Sequence, residues 1–482
     1  MSERPGRAAF HFTLIRGLGL LAAVSIVVGN IIGTGIFLKT RVMTCNVASP
    51  VEVLAAWVAA GALSLAGALT YAELAAMMPR TGGEYAFLRE AYGPLWGFLY
   101  GWMEFFISKA GGLAAMSIGL AIFLNILTGG RLSGNYFTLH LLSYEASFGT
   151  VQVVAVAAIA LVTLINCATV SFNGQIASLL MLIKISLVLV VGLGSFLLAH
   201  GDWAHFMMTD AGGLCEGVSS AARGGIAGFG AAMLGALWAY NGWNELTLVA
   251  GEVKNPQRNI PLALMGGMGI VIVLYLFVNL AYFYVLTPTE VASVSLTSSV
   301  ATEAARKFLG PLAASMIAAA LLASSFGVLH AGVLTGARVP YAMARDGLFF
   351  RRLSHLTKRT RVPLGALLVQ GGWASVLALS GSYDTLTDYV IFALWIFYGL
   401  TTSTIFIFRR RRPEAERPYR AWGYPVVPFL FLLVTASLLF TTLWTATHQS
   451  LYGLALIASG LPVYWYWSRQ NRRSAVEASS WD

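Results

Sequence analysis

Gly29-Asn30-Ile31-Ile32-Gly33-Thr34-Gly35 interrupts an apolar run from Leu18 to Leu38, and how that interruption is read decides the fold. Each flank has helical composition and together they reach membrane-spanning length, yet three glycines, an asparagine and a threonine fall at mid-depth. Glycine in a helix interior costs about 1 kcal/mol, so the run reads as two half-helices around a break. A second interruption, Trp238-Ala239-Tyr240-Asn241-Gly242-Trp243-Asn244, follows the apolar run Ile226–Leu237. Gly29-x-x-x-Gly33 alone equally suits close helix packing. Two matching breaks in one chain favour a binding site.

Composition places these breaks in a membrane. Of 482 residues, 57% are apolar and 11% are Asp, Glu, Lys or Arg, with a mean hydropathy of +0.72. Soluble domains carry about a quarter charged residues, so a soluble or disordered chain is excluded. Twelve apolar segments of spanning length follow, each needing about 20 residues, at 17–38, 51–78, 94–127, 150–170, 175–199, 226–251, 262–286, 309–337, 363–381, 386–408, 424–446 and 449–468. The broken segments are the first and the sixth. Five is odd, so segments 6–10 enter the membrane upside down relative to segments 1–5. Paired broken helices in corresponding positions of inverted halves point to a transporter's binding site.

The net charge of +10 does not mean nucleic acid. With the N-terminus inside, 23 of the 31 Lys and Arg residues fall on inner segments, including Arg4, Arg7, Arg16 and the run Arg409–Arg412. This bias predicts a multi-pass protein of the plasma or inner membrane with both termini cytoplasmic. The resulting organisation is a cytoplasmic N-terminus (1–16), a first repeat (17–199), an inverted repeat (226–408), two further helices (424–468) and a cytoplasmic C-terminus (469–482). No cleavable signal is required. Cys45, Cys167 and Cys215 are too few and too scattered to read as a disulfide framework or a zinc site. No metal, cofactor or nucleophile–base motif appears, which disfavours an enzyme. An ion channel is disfavoured by the lack of a filter-like loop.

Several motifs carry a family resemblance. Gly29–Phe37 resembles the first-helix signature of the amino acid–polyamine–organocation superfamily. Tyr71-Ala72-Glu73-Leu74, Met78-Pro79-Arg80-Thr81-Gly82-Gly83-Glu84-Tyr85 and Tyr92–Phe98 resemble its second-to-third helix segment. Ala239–Asn244 with Asn255–Pro261 is similar to the sixth helix and its loop in the L-type amino acid transporter branch, and Ser324–Gly327 with Ala344–Gly347 resembles its eighth helix and exit. The resemblance implies an all-α, twelve-helix membrane protein with a LeuT-type 5+5 inverted repeat, carrying amino acids by alternating access. By the same resemblance, the light subunits of animal heteromeric members carry a cysteine between helices 3 and 4 for a heavy-chain partner. The loop at 128–149 has none, so no disulfide-linked heavy chain is expected.

Unwound backbone groups cost several kcal/mol each in lipid unless paired, and a zwitterion pairs both kinds. Amides near Gly33, Thr34 and Gly35 at the start of the outer half-helix suit a carboxylate. Carbonyls near Ile31, with those of Trp238 and Ala239 as the family implies, suit an ammonium. By the resemblance Trp238 is an aromatic gate. Asn241 and Asn244 follow it as further expected substrate-binding residues, and a neutral Asn241 disfavours a buried cationic side chain, which points to neutral amino acids. Lys184, deep in an apolar helix, resembles the lysine that replaces sodium in sodium-independent members, reaching helix 1 and the hydroxyls of Ser324 or Ser325. Glu104 and Lys109 lie five residues apart, about 140° around an α-helix, so they should not share a face, whereas Glu104 and Ser108 should, as candidate pocket residues. Glu104 as a counter-charge would suit a cationic substrate or a coupling proton. Glu245 has the same double reading, and His330 reads as a core residue. The leading expectation is a sodium-independent amino acid transporter, an exchanger or proton-coupled, with a cationic-substrate carrier or a non-transporting sensor as alternatives. No cofactor is expected, and the partners are the amino acid and the lipid bilayer.

Overall fold

A computed structural model describes residues 13–141, 144–209, 212–295, 298–380, 383–445 and 447–479; Arg4 and Arg7 lie outside them. The break in the first segment is present. Helix α1 (Leu20–Ile31) and helix α2 (Gly35–Val47) meet at a bend of 41°. Then come α3 (Pro50–Met77), α4 (Glu84–Tyr92) and α5 (Pro94–Met103), the last continuing through a π-helical stretch, Glu104–Lys109, into α6 (Ala110–Leu127). Helices α7 (Thr150–Asn166) and α8 (Val170–Leu198) complete the first half. The segment between α6 and α7 reads as a loop, but Asn135–Leu141 and Tyr144–Gly149 pair as an antiparallel hairpin, with Phe137 stacked on Phe148.

The second half opens with α9 (Gly225–Ala239) and a 3-10 stretch, Trp243–Glu252, followed by α10 (Pro256–Val285). Two short helices, α11 (Pro288–Ala292) and α12 (Val300–Leu309), cross the loop to α13 (Leu312–Gly336) and α14 (Arg338–Arg345). Helices α15 (Leu364–Ser380), α16 (Tyr383–Arg411), α17 (Val426–Thr445), α18 (Thr447–Ala458) and α19 (Gly460–Ser479) follow. Among the described residues seven helices are long and apolar enough to cross a membrane, or eight with the bent pair as one span. Exposed Leu, Val and Phe side chains, such as Val58, Leu197, Val273 and Phe440, cover their outer surfaces, as lipid-facing helices require.

Two packing groups occupy the interior. In one, α3 packs on α10, α1 on α10, and α9 on both α2 and α3; in the other, α6 packs on α13, α7 and α15, and α7 on α15. Each group thus draws helices from both the earlier and the later part of the chain. At the arginine-rich face the groups are pinned together. Buried Arg338 on α14, which packs on α13, forms a fork-to-fork ion pair with Glu252 in the 3-10 stretch, which packs on α1 and α10, and the backbone of Leu18 bonds on both sides, to Glu252 (3.0 Å) and Lys254 (2.8 Å). Arg409 grips Glu73 bidentately at 2.9 and 2.6 Å, Arg89 pairs with Asp346, and Arg412 reaches Glu90 at 2.8 Å. The hydrogen bond from Arg412 holds the Glu90 carboxyl below its ordinary range. The opposite face is open.

One sequence expectation fails outright at that face. Cys45, at the end of α2, and Cys215, in the α8–α9 loop, form a disulfide with Cα atoms 5.6 Å apart. Separated by 170 residues, they could not be matched by spacing. The bond joins a cluster in which Arg41 donates to the carbonyl of Glu216 (2.9 Å) and Asn46 to that of Ala222 (2.6 Å). Cys167 is the free cysteine.

Candidate functional site

The break in the first segment is held by side chains from three other helices. Ile32 leaves the helical region, and its carbonyl and that of Gly29 turn toward α8. There the Lys184 ammonium donates to Gly29 (2.6 Å) and Ile32 (2.8 Å), while Ser324 of α13 donates to the same Ile32 carbonyl at 3.0 Å. Lys184 and Ser324 therefore meet on a shared acceptor rather than on each other. The Ser325 hydroxyl has no partner among the described residues. His330 lies one turn and a half further along α13, its Nε2 3.0 Å from Asn173 Oδ1, as a core residue.

A tyrosine connects the two breaks. Tyr275 of α10 points its hydroxyl between the carbonyls of Ile31 (3.0 Å) and Ala239 (3.1 Å). These are two of the acceptors expected to receive an ammonium, and a hydroxyl carries one proton, so spare lone pairs remain. Trp238's carbonyl accepts from the Asn241 amide at 3.2 Å. The second break turns at Gly242, whose φ of +107° lies in the left-handed region. A Cβ there would also sit 3.0 Å from Asn30 Cβ, so only glycine meets both demands. Gly35 is similarly constrained, since a Cβ would fall 2.7 Å from that of Ala239.

Between the breaks lies a cavity of about 180 Å³. Ile31, Gly33, Thr34, Gly35, Trp238, Ala239 and Asn241 line it, together with Ser108 and Lys109. Above it a vestibule of about 840 Å³ lies at the Cys45–Cys215 end, away from the Arg338–Glu252 pair, with Arg41 and Asn46 in its wall. Trp238, Thr34 and Asn241 border both spaces, and the Lys39 ammonium sits 4.7 Å from the Trp238 ring centroid. Trp238 thus stands between vestibule and cavity.

Three expectations need correction. Asn244 does not line the cavity, because the left-handed turn at Gly242 points it toward α4. Its amide nitrogen donates to Glu84 Oε1 at 2.7 Å, and Glu84 also accepts from Tyr100 at 2.8 Å. Glu104 is not in the cavity wall either. Third, Glu104 and Lys109 do share a face, with Nζ 3.9 Å from Oε1. The α-helical angle does not apply, because i→i+5 bonding in the π-stretch brings residues five apart nearly into line. Lys109 also pairs with Glu245 across the two packing groups, and Thr335 donates to the other oxygen of Glu245 at 2.7 Å. Glu104 Oε2 has no partner among the described residues.

Sequence reading alone does not single out Tyr275, Tyr398 or Glu84. Tyr398 of α16 donates to Asn241 Oδ1 at 2.7 Å and lies 3.2 Å from Asn244 Oδ1. Polar residues isolated in apolar helices were the available signal at Tyr275 and Tyr398. Glu84 belongs to the Gly82-Gly83-Glu84-Tyr85 motif, whose positive φ at both glycines turns the chain into the bundle.

Two helix breaks facing one small cavity inside a helical bundle with several apolar spans define a multi-pass membrane protein with a solute-sized internal cavity. The chain belongs to the amino acid permease family, which it matches over residues 18–463. It is 32% identical over 457 residues to the serine/threonine exchanger SteT of Bacillus subtilis (strain 168), covering 94% of this chain and 97% of that one. It is 30% identical to the human b(0,+)-type amino acid transporter 1 over 456 residues, 94% and 88% of the two chains. With the human cystine/glutamate transporter the identity is 28% over 474 residues, 98% and 89%. The chain is an amino acid transporter of the L-type-like branch of the amino acid–polyamine–organocation superfamily.

Proposed function

We propose that the protein exchanges neutral L-amino acids across the plasma or inner membrane, independently of sodium, by alternating access. Twelve spans arranged as a 5+5 inverted repeat with two added helices, both termini cytoplasmic, best account for the matched packing groups and the arginine-rich face. The carrying observation is Lys184, whose ammonium occupies the carbonyls of Gly29 and Ile32 at the first break. A second cation within a few ångströms in a low-dielectric interior would be repelled by several kcal/mol. Substrate carboxylate is assigned to the amides of Gly33, Thr34 and Gly35, and ammonium to the free lone pairs of Ile31, Trp238 and Ala239. Neutral side chains are favoured because the charges bordering the cavity, Lys109 and Glu245, already satisfy each other.

With the arginine-rich side sealed and the vestibule open, the structure is read as outward-facing. Return requires the Lys109–Glu245 and Arg338–Glu252 pairs, each bridging the two packing groups, to part. A serine/threonine exchanger among the relatives supports small neutral substrates and exchange. The absence of cysteine from 128–149, with Cys45 paired to Cys215, supports a transporter that works without a disulfide-linked heavy chain. The test is counterflow of labelled amino acids into proteoliposomes loaded with each of the twenty, in sodium and in choline buffer. Equal exchange of neutral amino acids in both buffers is expected. Sodium dependence would overturn the assignment made from Lys184, and flux without an internal amino acid would overturn the exchange reading.

A further inference from the structure

The cavity wall contains one amide whose orientation is set from outside it. Asn241 borders the cavity and the vestibule, and its Oδ1 accepts a hydrogen bond from Tyr398 at 2.7 Å. Tyr398 is buried on α16, edge-on to Trp395 and against Trp243, so its ring has little freedom. Behind it the polarity of the network is fixed by Glu84. Glu84 accepts from Tyr100 on one oxygen and from the Asn244 nitrogen on the other, so Asn244 turns its oxygen to Tyr398. Tyr398 has one proton to give, and the shorter contact is to Asn241. The Asn241 nitrogen then has no acceptor among the described residues. Nearby polar groups do not compete for it, because Lys109 is paired with Glu245, and Glu245 also accepts from Thr335.

We propose that Tyr398 is a specificity-determining positioning residue: by holding Asn241 Oδ1 it turns the amide nitrogen into the cavity, selecting neutral amino acids whose side chains offer a hydrogen-bond acceptor, namely hydroxyl, ether or carboxamide. The inference rests on the cavity being the substrate site. A buried donor left without a partner disfavours an apolar substrate of the same shape. One neutral hydrogen bond corresponds to roughly tenfold in affinity.

The experiment compares half-saturation constants for exchange in proteoliposomes, wild type against Tyr398→Phe, for two isosteric pairs: threonine with valine, and O-methylserine with norvaline. O-methylserine only accepts through its side chain. Wild type should favour threonine and O-methylserine by about tenfold over their partners. Tyr398→Phe should bring both ratios close to one, with the constants for valine and norvaline held within about twofold, which loss of packing alone would not do. Equal constants within each pair in wild type would overturn the proposal. So would ratios that survive in Tyr398→Phe, or a uniform loss of all four substrates in that variant. Threonine favoured over valine without O-methylserine being favoured over norvaline would show that Asn241 presents its oxygen instead. Failure of wild type to exchange any amino acid would instead strike the substrate-site reading itself.

Discussion

Arg338 and Glu252 form a fork-to-fork ion pair, Nε to Oε1 at 2.7 Å and Nη2 to Oε2 at 2.9 Å, with both side chains at or below 1% exposure. A third guanidinium contact goes to the Leu334 carbonyl at 2.7 Å. This pair joins α14 to the 3-10 stretch, one element from each packing group, and closes the arginine-rich face. Removing one partner leaves an uncompensated buried charge, a loss of about 3–5 kcal/mol. Glu252→Gln should therefore lower the melting midpoint in detergent sharply, while the double variant Glu252→Gln, Arg338→Met should recover most of the loss. A melting curve for Glu252→Gln that coincides with wild type would contradict a buried pair that closes this face.

Lys184 poses a separable question of coupling. Lys184→Ala strips donors from the Gly29 and Ile32 carbonyls, and each unsatisfied group costs about 1–3 kcal/mol. Ser324 still serves Ile32, so Gly29 bears the larger share. Exchange rate should fall far more than substrate affinity, and sodium should not restore it. Binding by scintillation proximity and exchange in liposomes, each with and without sodium, give the comparison; unchanged exchange would leave the lysine without a role in coupling.

The two break glycines should respond differently to the same change. At Gly33 a Cβ would meet nothing nearer than Val328 Cγ2 at 3.8 Å, whereas at Gly35 it would strike Ala239. Gly33→Ala should fold normally and raise the half-saturation constant by protruding into the cavity. Gly35→Ala should force the two breaks apart and lower thermal stability as well. If Gly33→Ala transports with wild-type constants, the substrate does not approach that backbone.

How much of this was legible in the sequence depends on the range of the interaction. The two breaks could be read locally, because glycine carries its meaning wherever it sits, and Lys184 stood out as a charge in an apolar helix; its reach to α1 and the gate place of Trp238 were legible only through the family resemblance. Asn244 was misplaced because the left-handed turn at Gly242 redirects the chain after it. Glu104 and Lys109 were misaligned because α-helical phase was assumed across a π-stretch, which no residue in Glu104–Lys109 announces. Tyr275 and Tyr398 act on carbonyls and amides more than 30 residues away, the nearest being Ala239 at a separation of 36. The Cys45–Cys215 pair is longer still.

That disulfide gives a prediction independent of transport. Cys45 and Cys215 should not react with a thiol reagent in the denatured, unreduced protein, leaving one titratable thiol, Cys167. After reduction three thiols should titrate. Because the bond closes a long loop, Cys45→Ser should cost about 2–4 kcal/mol, read as a lower melting midpoint. The hydrogen bonds of Arg41 and Asn46 to the same loop should keep the fold intact. Three reactive thiols before reduction would remove the tether.

The last prediction concerns charge at the side-chain end of the cavity. Asn241→Asp keeps an oxygen for Tyr398 to donate to at the same position and places the second oxygen, with a negative charge, where the amide nitrogen was. Lys109 cannot neutralise it without leaving Glu245, so the new carboxylate is short of a partner. A substrate carrying an ammonium or guanidinium supplies one, and selectivity is the difference between the two affinities. Wild type should prefer neutral amino acids to arginine and lysine. The variant should gain arginine exchange and lose affinity for neutral substrates, most steeply for those with acceptor-only side chains, which now face a repelling oxygen. Competition by arginine, threonine and O-methylserine against labelled substrate measures all three shifts at once. Strong arginine exchange by wild type would defeat the neutral reading and move the weight to Glu104, whose Oε2 is the buried carboxylate oxygen without a partner among the described residues.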